Sequence, residues 1–178
     1  MLARIRSSGL FRSTVTLTST MAVGDAVCQN IEARFAKEER PFDLRRLCAF
    51  AATGLFWNSP ASYGILFFTE RLSPGTATSA VVKKIGLTML MEPVRLSGIL
   101  ACNQLFLGKG VEDVKLKLLE GLPDAYKFSL GFYPPTLTVS IFLLSVQNRM
   151  FLLAPAGCVA NSYFSFISAR DSTAAERS

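Results

Sequence analysis

Residues 128–169 read FSLGFYPPTLTVSIFLLSVQNRMFLLAPAGCVANSYFSFISA, a run of 42 residues in which Arg149 is the single charge. A helix needs about 20 apolar residues to cross a bilayer once, so this run is long enough for two crossings around one arginine. Its uncharged halves, 128–148 and 150–169, predict two membrane helices, with Pro134-Pro135 near the start of the first. That first segment either lies shallow or spans. The expected fold is therefore all-α, an integral membrane helix bundle.

The composition agrees. Half of the residues are apolar or aromatic, 18% are charged and the mean hydropathy is +0.34. Soluble domains carry roughly a quarter charged residues. The formal charge of +6 does not point to nucleic acid, because the basic residues punctuate apolar segments as flanking charges at a membrane surface do. The expected partner of such a surface is membrane lipid.

The chain has no histidine, which excludes a Ser-His triad and removes the commonest metal ligand. Cys28, Cys48, Cys102 and Cys158 are widely spaced in or beside apolar segments, as buried reduced thiols are. No Gly-rich phosphate loop, metal cluster or nucleophile-base pair assembles from these residues. The expectation is a protein without catalysis, metal or cofactor.

Outward from the opening run, residues 47–69 supply 23 uncharged positions, about 34 Å of helix. Pro60 falls in the second half and predicts a kink. Residues 13–31 are moderately apolar, rich in Thr, Ser and Ala, and interrupted only by Asp25, as suits a helix packed against others. Residues 32–46 are densely charged and read as a solvated loop around Pro41. Residues 80–107 are apolar, with Lys83 and Lys84 expected to snorkel at the entrance and Glu92 and Arg95 three apart on one helical face. The segment is either one membrane helix, or Pro93 between them breaks it into two shorter helices.

Residues 108–124 mix Glu112, Asp113, Lys115, Lys117 and Glu120 with Val114, Leu116, Leu118 and Leu119, the pattern of an amphipathic interfacial helix. Four to five membrane helices result. A basic arm at 1–12 precedes the bundle at 13–169, and a polar tail at 170–178 follows. Arg4, Arg6 and Arg12 among Ser and Thr, without an acid, are the composition of a mitochondrial targeting segment or of a positive membrane flank.

Short motifs in a fixed order add a resemblance. Gly24-Asp25-Ala26-Val27-Cys28-Gln29 matches G-D-x-x-x-Q, and Asp43 with Arg46 matches D-x-x-R. Pro60, then Lys83 with Pro93, fall at further matching positions. Tyr133-Pro134 with Arg149 follows W-P-x-x-Q-x-x-N-F-x-x-V-P-x-x-x-R, and Asn161, Tyr163 and Ser165 match N-x-Y-x-S. In these features the chain resembles the Mpv-seventeen family, also called the twenty-two-kilodalton peroxisomal membrane protein family, over nearly its whole length. It departs from the pattern at Leu87 and Thr88 (Asp-Gln in the family), Leu137 (Gln), Ser140 (Asn), Ser145 (Pro) and Ala160 (Trp).

The resemblance implies a four-helix protein of the mitochondrial inner membrane or the peroxisomal membrane, without catalysis, some members being weakly selective channels. The arginine-bearing start favours mitochondria. Candidate intramembrane polar residues, for packing or for a pore, are Asp25, Gln29, Glu92, Arg95, Arg149, Asn161, Tyr163 and Ser165. Asp25 and Gln29, four apart, are expected to hydrogen-bond within the bundle. Glu92 and Arg95 should neutralise each other, and Arg149 should cap a helix or pair with an acid. Two functions follow as expectations. One is an accessory subunit of a larger complex of respiratory or ATP-synthase type, with other inner-membrane protein subunits as partners; the other is a small-solute channel or metabolite pore.

Overall fold

The computed structural model describes residues 2–35, 41–144 and 149–170, and these are helical apart from short connections. Helix α1 is Leu2–Phe35, α2 is Leu44–Thr53, α3 is Ser59–Leu72, α4 is Thr78–Phe106, α5 is Val111–Leu143 and α6 is Arg149–Arg170. A π turn, Gly54–Asn58, joins α2 to α3 without leaving helical backbone angles, so the two make one rod. Residues 36–40 of the expected loop, 145–148, and the expected tail from 171 onward lie outside the described residues.

The five rods alternate in direction. Ser59 meets Thr14 and Arg45 meets Leu107, so the α2–α3 rod runs antiparallel to both α1 and α4. Gly121 of α5 sits against Leu100 of α4, and Tyr126 reaches Met89, so α5 returns antiparallel. Lys117 near the start of α5 meets Ile167 near the end of α6, while Thr20 faces Gly157 and Asp25 faces Ser165. Helix α6 is therefore parallel to α1. The core between them is built from Met21, Phe50, Leu96, Ile99, Ala125, Ala160 and Phe164.

Pro93, Pro123, Pro134, Pro135 and Pro155 all lie inside continuous helices, which neighbouring helices make tolerable. Pro93 leaves the Met89 carbonyl without its helical donor, and the Tyr126 hydroxyl donates to it at 3.3 Å. Helix α4 is thus continuous through Pro93. Pro60 follows directly on the π turn, where the wider coil lets Ser59 N–H and its hydroxyl both donate to the Gly54 carbonyl. That turn also brings Gly54 against the α1 backbone at Thr18, where a Cβ would lie 2.9 Å from Thr18 Cα.

Three expectations change. Residues 32–46 are not one loop: α1 continues to Phe35 and α2 starts at Leu44, capped by Asp43, whose carboxylate accepts from the Arg46 backbone N–H at 3.0 Å. Residues 108–124 are not a separate interfacial helix but the first half of α5, with Val114, Lys117, Gly121 and Ala125 buried on one face. Pro123, exposed on the opposite side, does not interrupt it.

Lastly, among the described residues α4 alone is long and apolar enough to cross a membrane by length and composition. The Leu47 to Thr69 region misses that measure because the π turn divides its rod, and the second half of α5 misses it because Lys127, Pro134-Pro135 and its Tyr, Ser and Thr residues lower its hydropathy.

Candidate functional site

The interior of the bundle holds an unusual amount of polar material, gathered into three groups at three depths. At one end, α1 presents Asp25, Cys28, Gln29 and Glu32 one helical turn apart, on a single face. Arg46, in the first turn of α2, crosses to meet them. Its Nε donates to Asp25 Oδ1 at 2.8 Å, Nη1 to Glu32 Oε2 at 2.7 Å, and Nη2 to the Ser165 hydroxyl of α6 at 2.7 Å. Ser165 donates in turn to Asp25 Oδ1, and Gln29 Nε2 donates to Asp25 Oδ2 at 2.7 Å. Gln29 also ties down the chain entering α2, accepting from the Asp43 N–H at 2.7 Å and donating to the Asp43 carbonyl at 3.0 Å.

Asp25 is fully buried, and a carboxylate there is tolerable because three donors reach it, two on Oδ1 and one on Oδ2. The knot depends on a close crossing of α1 and α6. A Cβ on Gly24 would lie 2.7 Å from Asn161 Cβ and 3.0 Å from the Ser162 nitrogen, so glycine sets the approach that lets Ser165 reach Asp25. Ser162 seals the crossing by donating to the Gly24 carbonyl at 2.9 Å.

Halfway along the bundle lies the second group. Glu92 and Arg95 of α4 pair on one face, through Arg95 Nε to Glu92 Oε2 at 2.8 Å and a second bond from Nη2. Arg95 Nη1 also donates to Asn58 Oδ1 at 2.6 Å, and its guanidinium lies 5.4 Å from the centre of the Tyr133 ring. The Trp57 indole N–H donates to the Arg95 carbonyl at 2.9 Å, and its ring occupies the space that a Cβ on Gly98 would need. Beside this group is a cavity of about 80 Å³, room for several waters. Asn58, Ser62, Thr88, Glu92, Arg95, Tyr133 and Asn161 form its polar wall, and Leu17, Ile65, Leu66, Leu137, Leu153 and Gly157 the rest.

The third group closes the opposite end. Glu70 Oε2 accepts from Lys84 Nζ at 2.9 Å and from Arg149 Nη1 at 2.8 Å, and Lys84 donates further to the Gly75 carbonyl at 2.7 Å. Glu70 lies just past the uncharged residues 47–69. Burial works to raise its pKa, but the hydrogen bonds and charges of Lys84 and Arg149 outweigh that and hold it below the ordinary carboxylate value.

The sequence candidates thus fall at separate depths rather than in one site. Asp25, Gln29 and Ser165 belong to the first knot, Glu92 and Arg95 to the second, and Arg149 to the third. Asn161 lines the cavity wall. Tyr163 takes no part in the polar groups and stacks on Phe128, with ring centres 4.3 Å apart. Arg46, Glu32, Asn58, Lys84 and Glu70 are the partners that sequence reasoning missed. Arg46 and Glu32 were hidden in an apparently solvated charged stretch, and Lys84 is 3% exposed instead of snorkelling. The D-x-x-R match was the one signal for Arg46.

Among the described residues no three His, Cys, Asp or Glu side chains come together to hold a metal, and the four cysteines are free.

Comparison with known proteins places this arrangement. No family model matches the chain, and no solved structure matches it. It is 24% identical over 153 residues to the mitochondrial inner membrane protein Mpv17 of Danio rerio, covering 85% of each chain. It is also 24% identical over 147 residues to PXMP2/4 family protein 2 of Dictyostelium discoideum, covering 74% of this chain and 76% of that protein. This distant similarity extends over most of the chain, a membrane protein distantly related to both.

Proposed function

We propose that this protein is a non-enzymatic component of the mitochondrial inner membrane that works inside a larger membrane assembly, its five rods all crossing the bilayer. The alternating rods support this crossing count. Helix α4 ends beside Arg45, and α6 begins beside Glu70 at the opposite end, so α5 runs the length of the bundle between them. The location is supported by the relative named a mitochondrial inner membrane protein and by the arginine-bearing start.

The observation that carries the assembly reading is the outer face of α5. Exposed large apolar side chains are distributed over every rod of the bundle, among them Val23, Phe56, Phe67, Leu90, Val94, Phe142 and Val159, as lipid contact requires. The first half of α5 breaks this cover. Glu120 is exposed, and Asp124 and Lys127 form a loose pair at 3.7 Å with side chains 44% and 77% exposed. Their neighbours Gly121 and Tyr126 pack at the level of Leu100 and Met89, well inside the length of α4. Charge at that depth costs several kcal/mol per group against lipid, whereas a polar face of a neighbouring subunit neutralises it.

Native electrophoresis in mild detergent tests this. Wild type should co-migrate with a larger complex in fixed stoichiometry, and Asp124→Leu with Lys127→Leu should release it as a stable, free bundle. A wild-type protein that runs free under the same conditions overturns the reading.

A second reading, a small-solute pore, is favoured by the cavity. All five rods line it, polar side chains project into a mostly apolar wall, and ion-paired groups bracket it at both ends, as in a closed path. Thr88 and Leu137, two positions where the family pattern carries Gln, both face this space. Solute release from vesicles holding the free bundle, accelerated by Glu92→Ala, would establish that reading in place of the first.

A further inference from the structure

Two buried cations at the Glu70 end share a single carboxylate oxygen, and that end of the bundle is otherwise almost devoid of acid. We propose that Lys84 and Arg149 form a binding site for a phosphate group, reached from the membrane surface past Glu70.

The charge count comes first. Lys84 and Arg149 are 3% and 4% exposed, and Glu70 supplies one negative charge to both, so the group carries a net positive charge in a desolvated place. An unneutralised buried charge is strongly unfavourable, so a second anion stabilises the group.

The second observation is an orphan donor. Arg149 Nε is buried with no hydrogen-bond partner, although Nη1 of the same guanidinium is bonded to Glu70. Guanidinium presents its donors as a planar fork that matches a phosphate in two parallel bonds, and Nε is half of one such fork.

Surroundings supply the third. Arg71 and Lys83 are neighbours in sequence of Glu70 and Lys84, and Glu70 is the single acidic residue in α3 and the first two turns of α4. Such one-sided charge raises the local concentration of anions. Glu70 is 26% exposed, which leaves the group an opening. The site stands whether or not the bundle conducts solutes.

A phosphate can arrive as a free small anion or as the headgroup of an anionic lipid. The test uses the full-length protein purified in mild detergent, with thermal unfolding followed at matched ionic strength. Inorganic phosphate is titrated in one arm, and phosphatidylglycerol is added to phosphatidylcholine micelles in the other. Wild type should gain stability from at least one of them, saturably. Lys84→Met and Arg149→Met should each weaken apparent binding roughly tenfold, the scale of one charge-assisted hydrogen bond. Glu70→Gln removes the competing carboxylate and should bind phosphate more tightly than wild type, an outcome no purely structural role produces. Stabilisation by phosphate alone identifies a free anion, and by the lipid alone a headgroup. No saturable effect from either ligand on wild type or Glu70→Gln, or an effect unchanged by Arg149→Met, overturns the proposal.

Discussion

Ser165 of α6 donates its hydroxyl to Asp25 of α1 across a sequence separation of 140 residues, and the same carboxylate oxygen accepts from Arg46 Nε at 2.8 Å. The contact joins the two ends of the chain into the oldest kind of membrane glue, a satisfied buried polar cluster. It also makes Asp25 and Arg46 unequal. Asp25 is wholly enclosed, whereas Arg46 is 13% exposed and keeps Glu32 as a second carboxylate.

From that inequality, Arg46→Met should be worse than Asp25→Asn. Removing Arg46 strands a buried carboxylate and should cost about 3–5 kcal/mol, while Asp25→Asn should cost about 2 kcal/mol. Unfolding midpoints in mild detergent give the order directly. Equal losses, or a milder Arg46→Met, would show that Asp25 is not held as the ion described here.

Gly98→Ala should force the Trp57 ring off α4 and break its bond to the Arg95 carbonyl. The expected cost is about 1–3 kcal/mol, as for overpacking a filled core. Trp57 is the chain's one tryptophan, so its fluorescence reports this contact alone. A shifted emission maximum should accompany the loss, and Gly64→Ala, which meets open space, should leave both unchanged.

At mid-depth, Glu92→Gln should destabilise the bundle by about 3–5 kcal/mol by leaving Arg95 with neutral partners only. The double change Glu92→Leu with Arg95→Leu should be milder than the single one, because no unpaired charge remains. A double-mutant cycle read by thermal unfolding checks this, and a double variant worse than the single would contradict it.

Acid should weaken the Glu70 link. Its pKa is lower folded than unfolded, so its contribution is fully present above the unfolded value of about 4.3 and is lost as pH falls through the lower folded value. The stability difference between wild type and Glu70→Gln should therefore be largest near neutral pH and shrink below about pH 4. A difference that grows on acidification would reverse the assignment.

Much of the fold was readable from the residues. Uncharged runs located the rods, and the spacing of Glu92 and Arg95 announced their pairing, because both are properties of local helix geometry. The charged stretch 32–46 misled for the same reason. Glu32 and Arg46 look solvated when each is judged by its neighbours in sequence, but they sit at facing ends of two antiparallel rods. Pro93 left the continuity of α4 open for the same reason, since the Tyr126 hydroxyl that satisfies the Met89 carbonyl comes from another helix.

What the chain carries in its order of residues is the membrane character, the helical class and the list of polar groups that have to be satisfied. Those depend on composition and on periodicity within one segment. Which polar group answers which is a matter of how the rods cross. Gly24 lets α6 approach α1, the alternating directions bring Glu70, Lys84 and Arg149 to one end, and the turn of α5 exposes Asp124 and Lys127 on the outside. Desolvation makes those partnerships decisive, because a buried charge is tolerated only where the tertiary fold delivers its counterpart.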